Sequence, residues 1–348
     1  MITIKEIAEI AKVSAGTVDR VVHNRPGVSK KTAERIRKIL EEHNFKLNDV
    51  ASKLANRKKH KIATLIPAFD DVNLFWKSPY KGIFKAKEEV ALYGVSTINF
   101  NFNLLDSNSY LKSFEEMLAT NPDAVLLVPT FKKETQIIVE RLNEESIPYL
   151  FLNSHVEGCQ NITFIGQNSY KSGLTVGKLM HLSLGKNPSF ATIYIRQNVN
   201  NYSAIYNRIK GFEDYFLTKD IDSKNEVLNF ENLKDIACVE RKINKFLEEN
   251  SSIKGIYVPS SQISTIANCI DSKKINDLVL IGHDTTEKNI QCLKENKLTF
   301  LISQKSYHQG YDAMHVMTDF LFHKKQPKPK IISPVEIITH ENYDFDSE

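Results

Sequence analysis

The 348-residue chain predicts a small all-α head followed by an α/β body of two doubly wound parallel-sheet lobes. Three observations lead there. Apolar residues near the N-terminus recur at helical spacing in three short runs. Beyond Lys61, apolar strand runs alternate with amphipathic helices, the signature of parallel sheets covered by helices. There are eleven such strand runs, too many for one compact sheet. The charge is also divided. Through Lys61 there are 15 lysines and arginines against 7 aspartates and glutamates, a net of +8, and the remainder carries 31 against 35, a net of −4. A basic head on a mildly acidic body points to a polyanionic partner for the head.

The elements of the head follow in order. Thr3-Ile4-Lys5-Glu6 is a capping-box pattern, and Ile4, Ile7, Ala8 and Ala11 then share one face. Lys12-Val13 breaks the helix. Ser14 can cap a second helix through Val22, with Val18, Val21 and Val22 inward, and after the Pro26-Gly27 turn Ser29 can cap a third, packed through Ala33, Ile36, Ile39 and Leu40. Helix, tight turn, helix and support helix is the helix-turn-helix plan, in which the start of the second helix meets base edges in the major groove. Ser14, Ala15, Gly16, Thr17 and Arg20 are then the residues nearest DNA. Asn48 can cap a short helix from Asp49 to Asn56 with an apolar stripe of Val50, Ala51, Leu54 and Ala55, too short to be stable alone.

The run ITIKEIAEIAKVSAGTVDRVVHNRPGVSKKTAERIRKILEEHNFKLNDVASKLANRK resembles the DNA-binding head of the LacI/GalR (lactose-repressor) family. The resemblance implies that Ala15 and Gly16 are base readers and that Thr17 and Arg20 are phosphate or base contacts. It also implies that 47–60 is a hinge helix and linker whose Leu54 wedges into the minor groove. The full set expected at DNA is Thr3, Ser14, Ala15, Gly16, Thr17, Arg20, His23, Asn24, Ser29, Asn48, Ala51 and Leu54. Two positions depart from the family pattern: Asp19 replaces the usual Ser before the Arg, and Leu47 replaces the Pro before the capping Asn. Because Ala15 and Gly16 offer no bidentate base contact, much of the readout is expected from Arg20, His23, Asn24 or DNA shape.

In the body the strand runs are IATLIPA, VSTINFNF, AVLLVP, YLFLN, ITFIG, FATIYI, EVLNF, GIYVPS, LVLIGHD, TFLISQ and a last run at IISPVEII. Named helices between them are KGIFKAKEEVALYG, SYLKSFEEMLAT, KETQIIVERLNEE and KSGLTVGKLMHLSLG. Doubly wound sheets bind ligands at the C-terminal ends of their strands, and polar or aromatic residues gather there: Asp70, Asn73, Phe75, Trp76, Asn153, Ser260 with Ser261, Asp284 and Gln304, with Arg208 in the helical run YNRIKGFEDYF. Planar polar groups with an aromatic face suit a polyhydroxylated ligand, since each hydroxyl donates and accepts.

The body resembles the sugar-binding type I periplasmic-binding-protein fold throughout its length. Asn73-Leu74-Phe75-Trp76, Arg208 before Gly211-Phe212, Gly282-His283-Asp284 and Gln304 match that fold's ligand-contacting segments. Asn153 stands where an Asp is usual and Ser260-Ser261 where Asn-Asp is usual, so the expected pocket is less anionic. The implied effector is a sugar, a phosphosugar or another polar metabolite.

The domains expected are therefore a helix-turn-helix domain (1–46), a hinge and linker (47–60), a two-lobed effector and dimerisation domain (61–340) and a tail (341–348). The expected function is effector-controlled binding of double-stranded operator DNA by a homodimer. A body answering to a protein partner, and a sugar carrier with no DNA role, are the alternatives. The N-terminus MITIKEIAEIAK lacks a signal-peptide pattern and no run approaches a membrane helix, so a cytoplasmic location is expected. Cys159, Cys238, Cys269 and Cys292 lie far apart with no metal or redox spacing, and there is no GxSxG or glycine-rich phosphate loop. Neither cofactor, metal nor catalytic residue is expected, and the chain is read as a non-enzyme.

Overall fold

The end of the first head helix and the starts of the next two rest on specific local bonds. α1 (Ile4–Ile10) stops where Lys12 enters the left-handed region at φ 51°, and the Val13 N–H returns to the Ala8 carbonyl at 2.9 Å. α2 (Ala15–Val22) and α3 (Lys30–Glu42) are capped alike: Ser14 Oγ accepts from the Thr17 N–H and Ser29 Oγ from the Thr32 N–H, both at 3.2 Å. Such caps contribute about 1 kcal/mol each. Ile7, Ala8, Ala11, Val18, Val21, Ile36 and Ile39 close the core between the three helices. This computed structural model describes residues 4–22, 26–42, 59–70, 73–195 and 203–346, and the chain divides into two units, Met1–Lys58 and Lys59–Glu348.

The second unit holds two six-stranded sheets. The first takes β1 (His60–Pro67), β2 (Val95–Phe102), β3 (Ala124–Leu127), β4 (Tyr149–Leu152), β5 (Phe164–Gln167) and β11 (Lys330–Ser333) in the order β11-β5-β4-β3-β1-β2. The second takes β6 (Ser189–Ile195), β7 (Lys224–Phe230), β8 (Gly255–Tyr257), β9 (Val279–His283), β10 (Phe300–Ser303) and β12 (Glu336–Ile338) in the matching order β12-β10-β9-β8-β6-β7. All pairs are parallel except β10 with β12. Their fully buried stretches, such as AVLL in β3 and YLFL in β4, are continuous apolar runs because helices cover both faces.

The one correction to the strand reading is at the end of the chain. IISPVEII is two strands in two different sheets, because Pro334, which has no N–H to donate, interrupts it where the chain passes between lobes.

Helices α4 (Lys77–Ala91), α5 (Ser107–Leu118), α6 (Lys132–Glu144) and α13 (Ser306–His323) belong to the first lobe. α7 (Ser169–Leu184), α8 (Ser203–Thr218), α9 (Ile236–Glu249), α10 (Ile263–Cys269), α11 (Ser272–Ile275) and α12 (Glu287–Lys294) belong to the second. In each lobe one helix pair packs backbone to backbone through glycines. A Cβ on Gly82 would overlap the Tyr307 carbonyl and one on Gly310 the Pro79 carbonyl, joining α4 to α13; Gly173 and Gly211 stand likewise against the Arg208 and Tyr170 carbonyls, joining α7 to α8. The chain crosses between lobes three times, after β5, β10 and β11. One side chain ties these crossings together: Gln167 Nε2 donates to the Ser303 carbonyl at 3.0 Å and to the Pro334 carbonyl at 2.8 Å.

Candidate functional site

The cleft between the two lobes is walled by strand ends of both. Its empty space, open mouth included, is about 820 Å³. Asn73, Phe75, Trp76, Asn153, Arg208, Ser260, Asp284 and Gln304 all line it. Asp70 does not: its carboxylate accepts from the Asn73 N–H at 2.8 Å, so this acid shapes the turn leading to the aromatic pair. Ser261, read with Ser260 at its strand end, lines the cleft too, and so do Thr130, Ser154, Ser203 and Gln262, which stand singly in the sequence and carry no pattern.

Asn153 and Asp284 occupy equivalent places in the two lobes. Each follows the third strand from its sheet's β11 or β12 edge, and each is left-handed, at φ 66° and 71°. The N–H of Asn153 donates to Ile165 and that of Asp284 to Ile302, at 2.8 and 2.9 Å. This conformation, uncommon outside glycine, is tolerated best by Asn and Asp, which explains the residue types. Gln304 on the second crossing bridges them: it accepts from Asn153 Nδ2 at 3.0 Å and donates through Nε2 to Asp284 Oδ1 at 2.6 Å. Gln309 on α13 fixes the bridge, donating to the Gln304 carbonyl at 2.6 Å. Asn289 on α12 donates to the Ser261, His283 and Asp284 carbonyls at 2.9–3.0 Å and so holds the Asp284 turn. Neither Gln309 nor Asn289 stands out in the sequence, because each serves backbone carbonyls of the strand-end turns and a lone amide five or six residues on carries no pattern.

Arg208 is buried on α8, where the absent side chain of Gly173 lets α7 approach its carbonyl. Its guanidinium donates to the Pro259 carbonyl at 2.9 Å, while its Nε and the buried Ser260 Oγ have no partner among the described residues. Unused buried donors facing a cleft are costly unless a ligand meets them. Burial raises the Asp284 carboxyl above its ordinary range, opposed by Arg208 and by the Gln304 bond. Phe75 and Trp76 form the apolar wall, edge to face at 4.9 Å between ring centres.

Behind the cleft, His283 is fully buried and its Nε2 meets the Tyr257 hydroxyl at 2.9 Å. Burial, then the nearby Arg208 charge, lowers its pKa well below the usual 6.5. The unfolded chain takes up this proton below about pH 6.5 and the folded chain does not, so stability is full above that value and is lost as pH falls through the window. The expected slope is about 1.4 kcal/mol per pH unit at most. Thermal melts from about pH 7.5 to 5.5 should show the decline, and His283→Phe should flatten it. An equally steep profile in that variant would assign the decline to other groups.

In the head, Ala15, Gly16 and Arg20 are exposed, and Ser14 and Thr17 share a hydroxyl bond of 2.9 Å. Ser29 caps α3. Thr3, His23, Asn24, Asn48, Ala51 and Leu54 lie outside the described residues. Among the described residues no helix is long and apolar enough to cross a membrane, and no group of three or more His, Cys, Asp or Glu is placed to hold a metal.

Comparison with known proteins agrees with these two parts. Residues 62–325 match the periplasmic binding protein domain and residues 3–48 match the bacterial regulatory proteins of the lacI family. Catabolite control protein A of Priestia megaterium is 23% identical over 330 residues, covering 92% of each chain. The ribose operon repressor of Halalkalibacterium halodurans is 27% identical over 293 residues, covering 82% of this chain and 80% of its own. Among solved structures, one described as a LacI transcriptional regulator from Bacteroides fragilis superimposes with a TM-score of 0.74 at 26% identity, over 83% of this chain and 99% of that one. A solute-binding protein from Bacillus halodurans, solved with myo-inositol, gives 0.71 at 19% over 83% and 98%, which speaks for the fold alone. A helix-turn-helix head with a two-lobed cleft body defines a DNA-binding transcription regulator. The chain belongs to the lacI family of bacterial regulators, with a body of the periplasmic-binding-protein type.

Proposed function

We propose that this regulator binds a roughly palindromic operator as a cytoplasmic homodimer and that a small sugar-like effector in the cleft controls its affinity. The observation that carries the effector reading is the convergence of Arg208, Asp284 and the Phe75–Trp76 wall, from three distant segments, on one cleft. Arg208 supplies a forked donor, Asp284 accepts from hydroxyls, and the rings cover the C–H side of the ligand. The relative named for a ribose operon supports a sugar. Two-fold symmetry of a dimer matches two half-sites. The hinge at 47–60 joins head to body in this reading, with Asn48, Ala51 and Leu54 at the minor groove. No catalytic role is assigned to any residue.

The test is a thermal-shift screen of pentoses, hexoses, polyols and their phosphates, followed by titration of Trp76, the single tryptophan, by fluorescence. A ligand at 100 times its dissociation constant should add about 2.7 kcal/mol of stability and change Trp76 emission. Stabilisation by none of these compounds would turn the reading toward a protein partner. For the head, Arg20→Ala should weaken operator binding by about 1–3 kcal/mol in a gel-shift titration and leave effector binding intact. Unchanged operator affinity would remove Arg20 from the contacts.

A further inference from the structure

Gly16 is not required by the fold of the head. It lies in the first turn of α2, exposed, with an ordinary helical backbone, and a Cβ there would meet only Ser14 Oγ at 3.8 Å, a normal van der Waals contact. Glycine inside a helix is less stable than alanine. A glycine that packing does not need leaves room for a close approach from outside the head.

Its neighbours present little hydrogen-bonding reach. Ala15 is exposed and offers a methyl group. Ser14 and Thr17 bond one another through their hydroxyls, and Ser14 Oγ also accepts the Thr17 N–H. Arg20, one turn on, has its Cδ 3.9 Å from where a Gly27 side chain would begin. The start of a recognition helix faces base edges, and the apolar feature of the major-groove edges is the thymine C5-methyl group.

We propose that the first turn of α2 reads thymine methyl groups, with Ala15 packing against one and Gly16 allowing the helix to sit close enough to do so. The reading rests on the head's DNA-binding role, and Gly16 and Ala15 are specificity-determining through shape instead of hydrogen bonds. A·T pairs are therefore expected in each half-site beneath this turn.

The experiment begins with selection of duplexes from a random library by the full-length protein. Each thymine of the enriched half-site is then replaced by deoxyuridine, which removes only the methyl group. One or two positions per half-site should lose affinity about fourfold each. In Ala15→Gly the same replacement at the Ala15 position should cost nothing further. Gly16→Ala should melt no lower than the parent yet bind the selected duplex at least about tenfold more weakly, since an added methyl blocks close approach. Deoxyuridine without effect at every position, or parental operator affinity in Gly16→Ala, would overturn the proposal. Failure to enrich any duplex would overturn the DNA-binding reading beneath it.

Discussion

Asp284→Asn and Arg208→Ala are each expected to bind operator as the parent does and to stop responding to effector. Both side chains are buried and lie on the cleft, and each leaves a different partner stranded when removed. Without Arg208, the raised Asp284 carboxyl loses the cation that opposes its desolvation, and the Pro259 carbonyl loses its donor. With Asn at 284, the Gln304 amide faces a group that can present a donor instead of the acceptor it now meets at 2.6 Å. In the proposed reading, ligand hydroxyls that either residue would hold are left unpaired. Such losses cost about 1–3 kcal/mol each, more where a charge is involved, so affinity should fall at least tenfold. Calorimetric titration of both variants with the sugar found by screening is the check. Parental affinity in both would place the effector elsewhere, and a lower melting temperature without ligand would mark the variant as a folding defect.

A large stability loss is expected at Gly211. Its missing side chain lets α8 lie directly on α7, and a methyl group there would meet the Tyr170 carbonyl and come within 3.0 Å of the Leu174 amide nitrogen. Both are backbone atoms of a helix, which cannot move aside as a side chain can. Overpacking typically costs 1–3 kcal/mol and occasionally more, and Gly211→Ala belongs at about 3 kcal/mol, a fall of roughly 5 °C or more in the melting temperature. Gly158→Ala is the contrasting variant. That position has φ +80° with nothing within 4 Å, so only backbone strain of about 1–2 kcal/mol applies. Equal effects at the two glycines would show that the α7–α8 contact is not as tight as the geometry requires.

Much of this arrangement is legible in the amino-acid order because it is local. The caps at Ser14 and Ser29, the break at Lys12 and the runs AVLL and YLFL each follow from neighbours a few residues apart. The cleft residues were also readable, since strand ends in doubly wound sheets converge on ligand sites. Asp70 shows the limit: an acid at a strand end can as well stabilise its own turn, and only the bond to Asn73 decides. The split of IISPVEII needed the second sheet to exist before Pro334 could be understood as a crossing. Helix α13 had a usable signal that was passed over, with Gln309, Gly310, Ala313, Met314 and Met317 buried at steps of three and four. The bonding role of Asn289 had no such signal, because the Ser261 carbonyl meets those of His283 and Asp284 only in the folded lobe.

The Gln167 amide has a mechanical meaning for control from the cleft. Three strands that passed independently between lobes could splay, shear or twist in any combination, and effector binding energy would be dispersed among those motions. With one side chain bonded to the other two crossings at 3.0 and 2.8 Å, any motion that separates them has to break those bonds. An effector with unequal affinity for two lobe angles would then act on the three crossings as a group and not on each alone.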